Sequence, residues 1–343
     1  MSSFINAFFE YIIMKKNKQF AVRSVTEKDF RSIYIRKKCH ITGHKAAIYA
    51  LDKANEANTI YSGGGDGLVV KWDLDRPETG QVVAQVKSNI FSLKYIPTLH
   101  RLAIGNMFGG VHWIDLHTSK NIKNVQVHEK GVFDIQWING HIYTAGGQGK
   151  LTKWSAEDCR PLETIQLSNK SLRRFHYSSI HNEIAIGSSD YSIYILNADD
   201  LSIKKVIKNA HNNSVFTVQY SPDGQFLMSG GRDAFLRVWD LSNNYELISE
   251  QPAHWFTINQ IVFSPDQTIF ATASRDKSIK IWDAQTFKIL KVIERVRSLA
   301  HTHSINSLFW QNENEWLISC SDDRSIMGWD IMPTPDSKME KQL

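Results

Sequence analysis

Residues 211–240 read HNNSVFTVQYSPDGQFLMSGGRDAFLRVWD, and this stretch decides how the chain folds. It holds three runs rich in β-branched and aromatic residues, 215–220, 226–229 and 235–239. Ser-Pro-Asp-Gly (221–224) and Gly-Gly-Arg-Asp (230–233) separate them. Pro fixes φ, Asp bonds its own backbone and Gly tolerates positive φ, so both interruptions read as tight turns. The stretch is a three-strand antiparallel meander. So small a sheet cannot bury its own apolar face and needs neighbours.

The neighbours are copies of the same unit. Its closing dipeptide, or a relative of it, recurs at Trp72-Asp73, Ile114-Asp115, Trp154-Ser155, Leu196-Asn197, Trp239-Asp240, Trp282-Asp283 and Trp329-Asp330. Successive gaps are 42, 40, 42, 43, 43 and 47 residues, which makes seven units. A period of about 40–45 residues marks four-stranded propeller blades. Fixed offsets sharpen the register. An Asp lies six residues before the Trp place at Asp66, Asp190, Asp233, Asp276 and Asp323; a His lies 22 before that Asp at His44, His211, His254 and His301. A hydroxyl lies four before it at Ser62, Ser229, Thr272 and Ser319.

On these residues the chain resembles the WD-repeat family over about residues 33–331. The resemblance implies a hydrogen-bonded His, Ser/Thr, Asp and Trp tetrad inside each blade. Four sets match in full: His44/Ser62/Asp66/Trp72, His211/Ser229/Asp233/Trp239, His254/Thr272/Asp276/Trp282 and His301/Ser319/Asp323/Trp329. The chemistry fits, because a carboxylate can accept from the imidazole and the indole N–H can only donate. Unit 3 keeps His128, Thr144 and Trp154 but has Gln148 for Asp. Units 2 and 4 put Val86 and Ser168 in the His place and Ile114 and Leu196 in the Trp place, so they are expected to rest more on apolar packing. The expected fold is all-β: a seven-bladed β-propeller of four-stranded antiparallel blades.

The last unit has no fourth strand after Trp329; Pro333 and Pro335 follow. Segment 33–41 has the composition of the missing strand, and as the outer strand of the last blade it would cover an otherwise open sheet edge, an aggregation hazard. The expected organisation is an N-terminal extension (1–32), the propeller (33–331) and a C-terminal tail (332–343). Residues 4–14 (FINAFFEYIIM) are apolar and precede Lys15, Lys16 and Lys18, the reverse of a secretory signal. They read as a disordered or surface-packed extension, a partner- or membrane-surface segment, or an early start upstream of Met14.

The first strand of each unit breaks strict alternation. Apolar residues fall four, seven and usually nine positions past the His place, as in Val215, Val218 and Tyr220. One extra residue, a β-bulge, reconciles this spacing and re-aims position five. Position five reads Tyr49, Phe91, Phe133, Arg173, Phe216, Asn259 and Asn306. The residue before the Asp place reads Gly65, Met107, Gly147, Ser189, Arg232, Arg275 and Asp322. In the resembled family both columns rim the pore on the partner-binding face. Tyr49, Phe91, Phe133, Arg173, Phe216, Arg232 and Arg275 are therefore the candidate partner-binding residues, of types enriched at binding hot spots. The plainer reading is that the rings pack between blades and the arginines are solvated. Extra residues at 294–297 (ERVR) lengthen the sixth-to-seventh link, where Arg295 and Arg297 either extend a basic site or decorate a loop.

Charge and chemistry narrow the function. A net charge of +5 favours acidic partners weakly and falls short of a nucleic-acid footprint. Cys39, Cys159 and Cys320 are odd in number and scattered, which suits a reduced, cytoplasmic setting. No run of 18 apolar residues suggests a membrane span. Of the 13 His, five occupy the tetrad place, His301-Thr302-His303 included, so no metal is expected. Gly-Gly-Gly-Asp-Gly (63–67) lies between strands and not before a helix, so it lacks the basis for cradling phosphate. No catalytic residue, cofactor or enzyme activity is expected. The reading is a monomeric ring acting as a scaffold that binds peptides or protein loops, acidic or phosphorylated ones included. A nucleic-acid adaptor and an enzyme with an unrecognised site are the alternatives.

Overall fold

The computed structural model describes residues 33–118, 120–311 and 315–333. The apolar segment 4–14 and the residues after Pro333 lie outside them. The described chain folds into seven four-stranded antiparallel sheets, six of them in simple sequence order. Blade 1 is Ile48–Lys53, Thr59–Gly64, Leu68–Asp73 and Gln81–Gln85. Blade 5, the unit read first, is Val215–Tyr220, Phe226–Gly231, Phe235–Asp240 and Glu246–Pro252. Among the described residues helix is confined to one 3₁₀ turn, Pro97–Leu99, and one helical turn, Arg295–Ser298.

The seventh sheet joins the two ends of the described chain. Ile33–Thr42 pairs antiparallel with Ser325–Pro333 and forms the outer strand of blade 7. Its apolar side chains Ile33, Cys39 and Ile41 are buried. Cys39 and Ile41 share a core cluster with Ile318 and Ile326 of blade 7 and with Ile48, Ile60, Val70 and Trp72 of blade 1. The ring is therefore closed, with the core divided into seven inter-blade layers. Each layer fills from both sides: Ala185, Ile193 and Ile195 of blade 4 meet Val215, Val218, Tyr220 and Trp239 of blade 5. Blades that cannot bury their faces alone thus stabilise one another.

The turn between the second and third strands is the same in all blades. The residue after the Asp place is left-handed throughout, with φ between +67° and +90° at Gly67, Gly109, Gly149, Tyr191, Ala234, Lys277 and Arg324. At Gly149 a Cβ would come within 1.8 Å of the Ser168 carbonyl oxygen, so glycine is required there.

Candidate functional site

The turn Asp builds outward from the tetrad. In blade 5, His211 Nδ1 lies 2.9 Å from Asp233, His211 Nε2 lies 2.8 Å from Ser229 Oγ, and Trp239 Nε1 donates to the same oxygen at 2.9 Å. A carboxylate only accepts, so Nδ1 carries the proton and Nε2 accepts from the hydroxyl. The same bonds occur with His44, Ser62, Asp66 and Trp72; with His254, Thr272, Asp276 and Trp282; and with His301, Ser319, Asp323 and Trp329. Burial opposes ionisation of Asp233, Asp276 and Asp323. Hydrogen bonds from the imidazole and neighbouring groups outweigh it and hold these carboxyls well below the usual range. Burial pushes His211 and His254 down, so the imidazoles stay neutral beside their carboxylates.

Three blades depart from this set. In blade 3, His128 bonds Thr144 at 2.8 Å, but its Nδ1 and both amide atoms of Gln148 are buried without a hydrogen bond. Blade 4, expected to rest more on apolar packing, keeps a polar cluster as well: Ser168 Oγ and Tyr194 Oη each donate to Asp190 Oδ2 at 2.6 Å. The tyrosine hydroxyl supplies the donor that the absent imidazole would have given. Blade 2 likewise carries a polar relay, Asn106 Nδ2 to His112 Nε2 at 2.8 Å and His112 Nδ1 to Asn124 Oδ1 at 2.7 Å.

The innermost strand of every blade shifts register at position five, between Ile48 and Ala50 in blade 1 and between Val215 and Thr217 in blade 5. In blade 4 the irregularity spans Arg173 and Arg174. Five of the bulged side chains, from Tyr49 to Phe216, touch in succession. Tyr49 meets Phe91 edge-on with centroids 5.4 Å apart, and Phe91 stacks on Phe133 at 5.6 Å. The Arg173 guanidinium lies 4.3 Å from the Phe133 centroid and 4.5 Å from that of Phe216. Asn259 and Asn306 continue the circle through bonds to the carbonyls of Ile305 (2.7 Å) and Ile48 (2.8 Å). Aromatic contacts of this kind add about 0.5–1.5 kcal/mol each and fix the rings in place.

The second column is pinned to the first. In all seven blades the N–H of the residue before the Asp place donates to the carbonyl two residues before position five, for example Arg232 to Ser214 (2.9 Å) and Arg275 to Thr257 (3.0 Å). Arg173 differs from the other two candidate arginines. It is half-buried, donates to Ser189 Oγ at 3.0 Å, and is pushed down to about 10 by burial and by the nearby Arg232. Arg232 and Arg275 are exposed and have no ion-pair partner among the described residues. Gly65, Met107, Gly147, Ser189 and Asp322 complete this column, and Asp322 accepts from Asn306 at 2.7 Å. Arg295 and Arg297 lie in the one-turn helix of the lengthened link, Arg297 paired with Glu294 at 3.2 Å.

Inside the ring runs a channel of about 610 Å³, lined by Lys94, Asp134, Arg174, His176 and Gln219 among others. Arg174 Nη2 of blade 4 reaches the Asn306 carbonyl of blade 7 at 3.3 Å and bridges the channel at its rim end. No cluster of three metal-ligating side chains is present among the described residues, and no helix there is long and apolar enough to cross a membrane.

Large apolar side chains are exposed unevenly. In turns and links on the rim face, Phe108, Tyr191, Trp255, Phe256, Val296 and Leu299 are exposed; in the turns of the opposite face, only Ile180 is, among the described residues. The two columns read for the rim miss these six: Phe108 stands at the Asp place of blade 2, Tyr191 directly after that of blade 4, and the other four lie in links. An unusual Trp-Phe pair directly after a tetrad His was the available signal.

Residues 36–73, 203–240, 245–283 and 293–330 match the family described as WD domain, G-beta repeat. The unmatched middle contains the blades with incomplete tetrads. Protein HIRA of Dictyostelium discoideum is 26% identical over 221 residues, 64% of this chain and 13% of that protein. The THO complex subunit 6 homolog of Danio rerio is 23% identical over 177 residues, covering 46% of this chain and 54% of that one. The guanine nucleotide-binding protein subunit beta of Nicotiana plumbaginifolia is 21% identical over 227 residues, covering 60% and 59%. The chain thus spans less than two thirds of each of these curated relatives. The solved WD40 beta propeller domain of Doa1 superimposes with a TM-score of 0.76 at 18% identity, covering 87% of this chain and 97% of that one.

Proposed function

Because the chain belongs to the WD-repeat propellers, a family that generally binds proteins and is generally non-catalytic, we propose that it is a non-enzymatic interaction scaffold. It binds a peptide or protein loop on the rim face. The carrying observation is the arc Tyr49–Phe91–Phe133–Arg173–Phe216, half-buried and locked ring to ring, with the unpaired cations Arg232 and Arg275 beside it. A rigid arc offers apolar area at little entropic cost. Arg232 and Arg275 supply forked donors for a carboxylate or phosphate, while Arg173 holds the arc together. Two of the relatives are named as subunits, which supports a role within an assembly. Three unpaired buried cysteines support a reducing, cytoplasmic location.

The test is affinity purification with mass spectrometry on the wild type and on the Phe216→Ala/Arg232→Ala double variant, each checked by thermal melting. Partners captured by the wild type should be depleted by the double variant at an unchanged melting temperature. Retention of every partner by a folded double variant would sink the proposal.

A further inference from the structure

Trp255 and Phe256 are 87% and 58% exposed in the link between blades 5 and 6, yet their backbone is tightly held. The Trp255 N–H donates to Asp276 Oδ2 at 3.0 Å, Ser274 Oγ donates to the Phe256 carbonyl at 3.2 Å, and the Arg275 N–H donates to the Thr257 carbonyl at 3.0 Å. The backbone that carries two large exposed rings is thus fixed by the tetrad turn of blade 6. Lone exposed apolar residues are ordinary, but an adjacent aromatic pair on a pinned backbone is a preformed anchor site.

The exposed charges of the turn that holds this lip are cationic. Arg275 and Lys277 flank the tetrad Asp in the turn that holds it, and Arg232 and Arg324 stand in the equivalent turns of blades 5 and 7. All four are exposed and have no ion pair among the described residues. The tetrad carboxylates Asp233, Asp276 and Asp323 are nearly buried beneath these turns, and the one exposed acid in the turns of blades 5–7 is Asp322, which accepts from Asn306. An aromatic anchor beside exposed cations that have no ion-pair partner is complementary to a short acidic segment that carries one bulky apolar side chain.

We propose that Trp255 and Phe256, with Arg275, form a second anchor on the rim face. It takes an acidic peptide segment whose leucine or phenylalanine packs on the two rings while its carboxylates pair with Arg275 and its cationic neighbours. This rests on the rim-face reading but names a site outside the position-five arc and the chemistry of its occupant. The arc fixes where a partner sits; the lip selects for negative charge.

The experiment uses the full chain and fluorescein-labelled nonapeptides read by polarisation: one of Asp and Glu with a central Leu or Phe, one with every acid replaced by Lys, and one with the apolar residue replaced by Ser. The acidic peptide with the apolar residue should bind, and the other two should bind about tenfold or more weakly. Trp255→Ala/Phe256→Ala and, separately, Arg275→Glu should each lose about tenfold or more, Trp255→Phe should retain most of the binding, and added salt should weaken it. Equal binding of the lysine peptide, or no effect of either variant, would overturn the proposal. So would Trp255-dependent dimerisation in sedimentation, or Trp255-dependent binding to phosphatidylserine vesicles, since the lip would then serve a second copy or a lipid surface. If the lip variants keep the partners that Phe216→Ala/Arg232→Ala loses, only this inference falls. If neither set loses any, the rim-face reading falls with it.

Discussion

Gln148→Asp should stabilise the protein by completing the tetrad of blade 3. His128 is fully buried, and its Nδ1 has no hydrogen bond; both side-chain polar atoms of Gln148 are equally orphaned. In the complete blades a carboxylate at this place accepts a hydrogen bond from the imidazole Nδ1–H at 2.8–3.0 Å and also accepts the N–H after the His, as Asp276 does from Trp255 at 3.0 Å. A buried unsatisfied polar group costs about 1–3 kcal/mol. Several are relieved at once, and the desolvation of one carboxylate offsets part of the gain, so a net of about 1–2 kcal/mol is expected. In a chain of this size that corresponds to about 2–4 °C in melting temperature. Gln148→Asn, shorter but uncharged, should recover less.

The pH dependence separates this account from a generic surface effect. Burial pushes His128 down from 6.5 to about 4. The unfolded chain therefore takes up a proton at about pH 6.5 that the native state refuses until about pH 4. The wild type loses stability across that window as pH falls, by up to about 1.4 kcal/mol per pH unit. A carboxylate at position 148 would favour protonated His128 and narrow the window. The advantage of Gln148→Asp should thus grow between pH 7.5 and pH 5. Thermal and urea melts at both pH values read it. A variant no more stable than the wild type at pH 7.5, or an advantage that shrinks toward pH 5, would refute the reasoning.

Asp233→Asn should cost more than Asp66→Asn, because buried Arg237 donates to Asp233 Oδ2 at 2.8 Å and blade 1 has no such cation against its tetrad; the excess in urea melts should be about 1–2 kcal/mol, and equal losses would count against it. The carboxyl of Asp233 is held low, so its stabilisation is present above pH 3.8 and lost below, and Asp233→Asn should flatten that acid limb. Deleting residues 1–42 should lower the melting temperature sharply and raise light scattering, since it strips the outer strand from Ser325–Pro333; deleting 1–32 leaves that strand in place, and equal melts for the two truncations would reject its closing role.

The fold was legible because a buried polar cluster cannot drift. His44, Ser62, Asp66 and Trp72 must meet, so their spacing is rigid and repeats wherever the cluster does. Blades 2 and 4 could be counted by spacing, but their substitutes could not be foreseen. These lie in a single column, four residues past the Asp place, where the third strand runs beside the tetrad. His112 and Tyr194 occupy it in blades 2 and 4 and bond Asn106 and Asp190; in blades 1, 5, 6 and 7, whose tetrads are complete, the same column holds Val70, Arg237, Lys280 and Met327. A polar side chain there is read correctly only when the vacancy beside it is known, which a strand pattern does not supply.

The rim residues were legible one by one and their union was not. Position five is set by a local bulge, but Arg173 lies between Phe133 and Phe216 only because blades 3, 4 and 5 converge, a property of the ring and of no single unit. The same convergence ties the tetrads to the rim. The Asp that holds each imidazole shapes the turn, and the residue before that Asp bonds the link that carries position five, so Arg232 and Arg275 are aimed by the hidden clusters of blades 5 and 6. Blades 5, 6 and 7, each with a complete tetrad, are also the blades whose turns present Arg232, Arg275 and Arg324 to solvent. Damage to a tetrad there should therefore disturb the display surface before it opens the ring, because the turn relaxes at the cost of a few bonds while the inter-blade core stays packed.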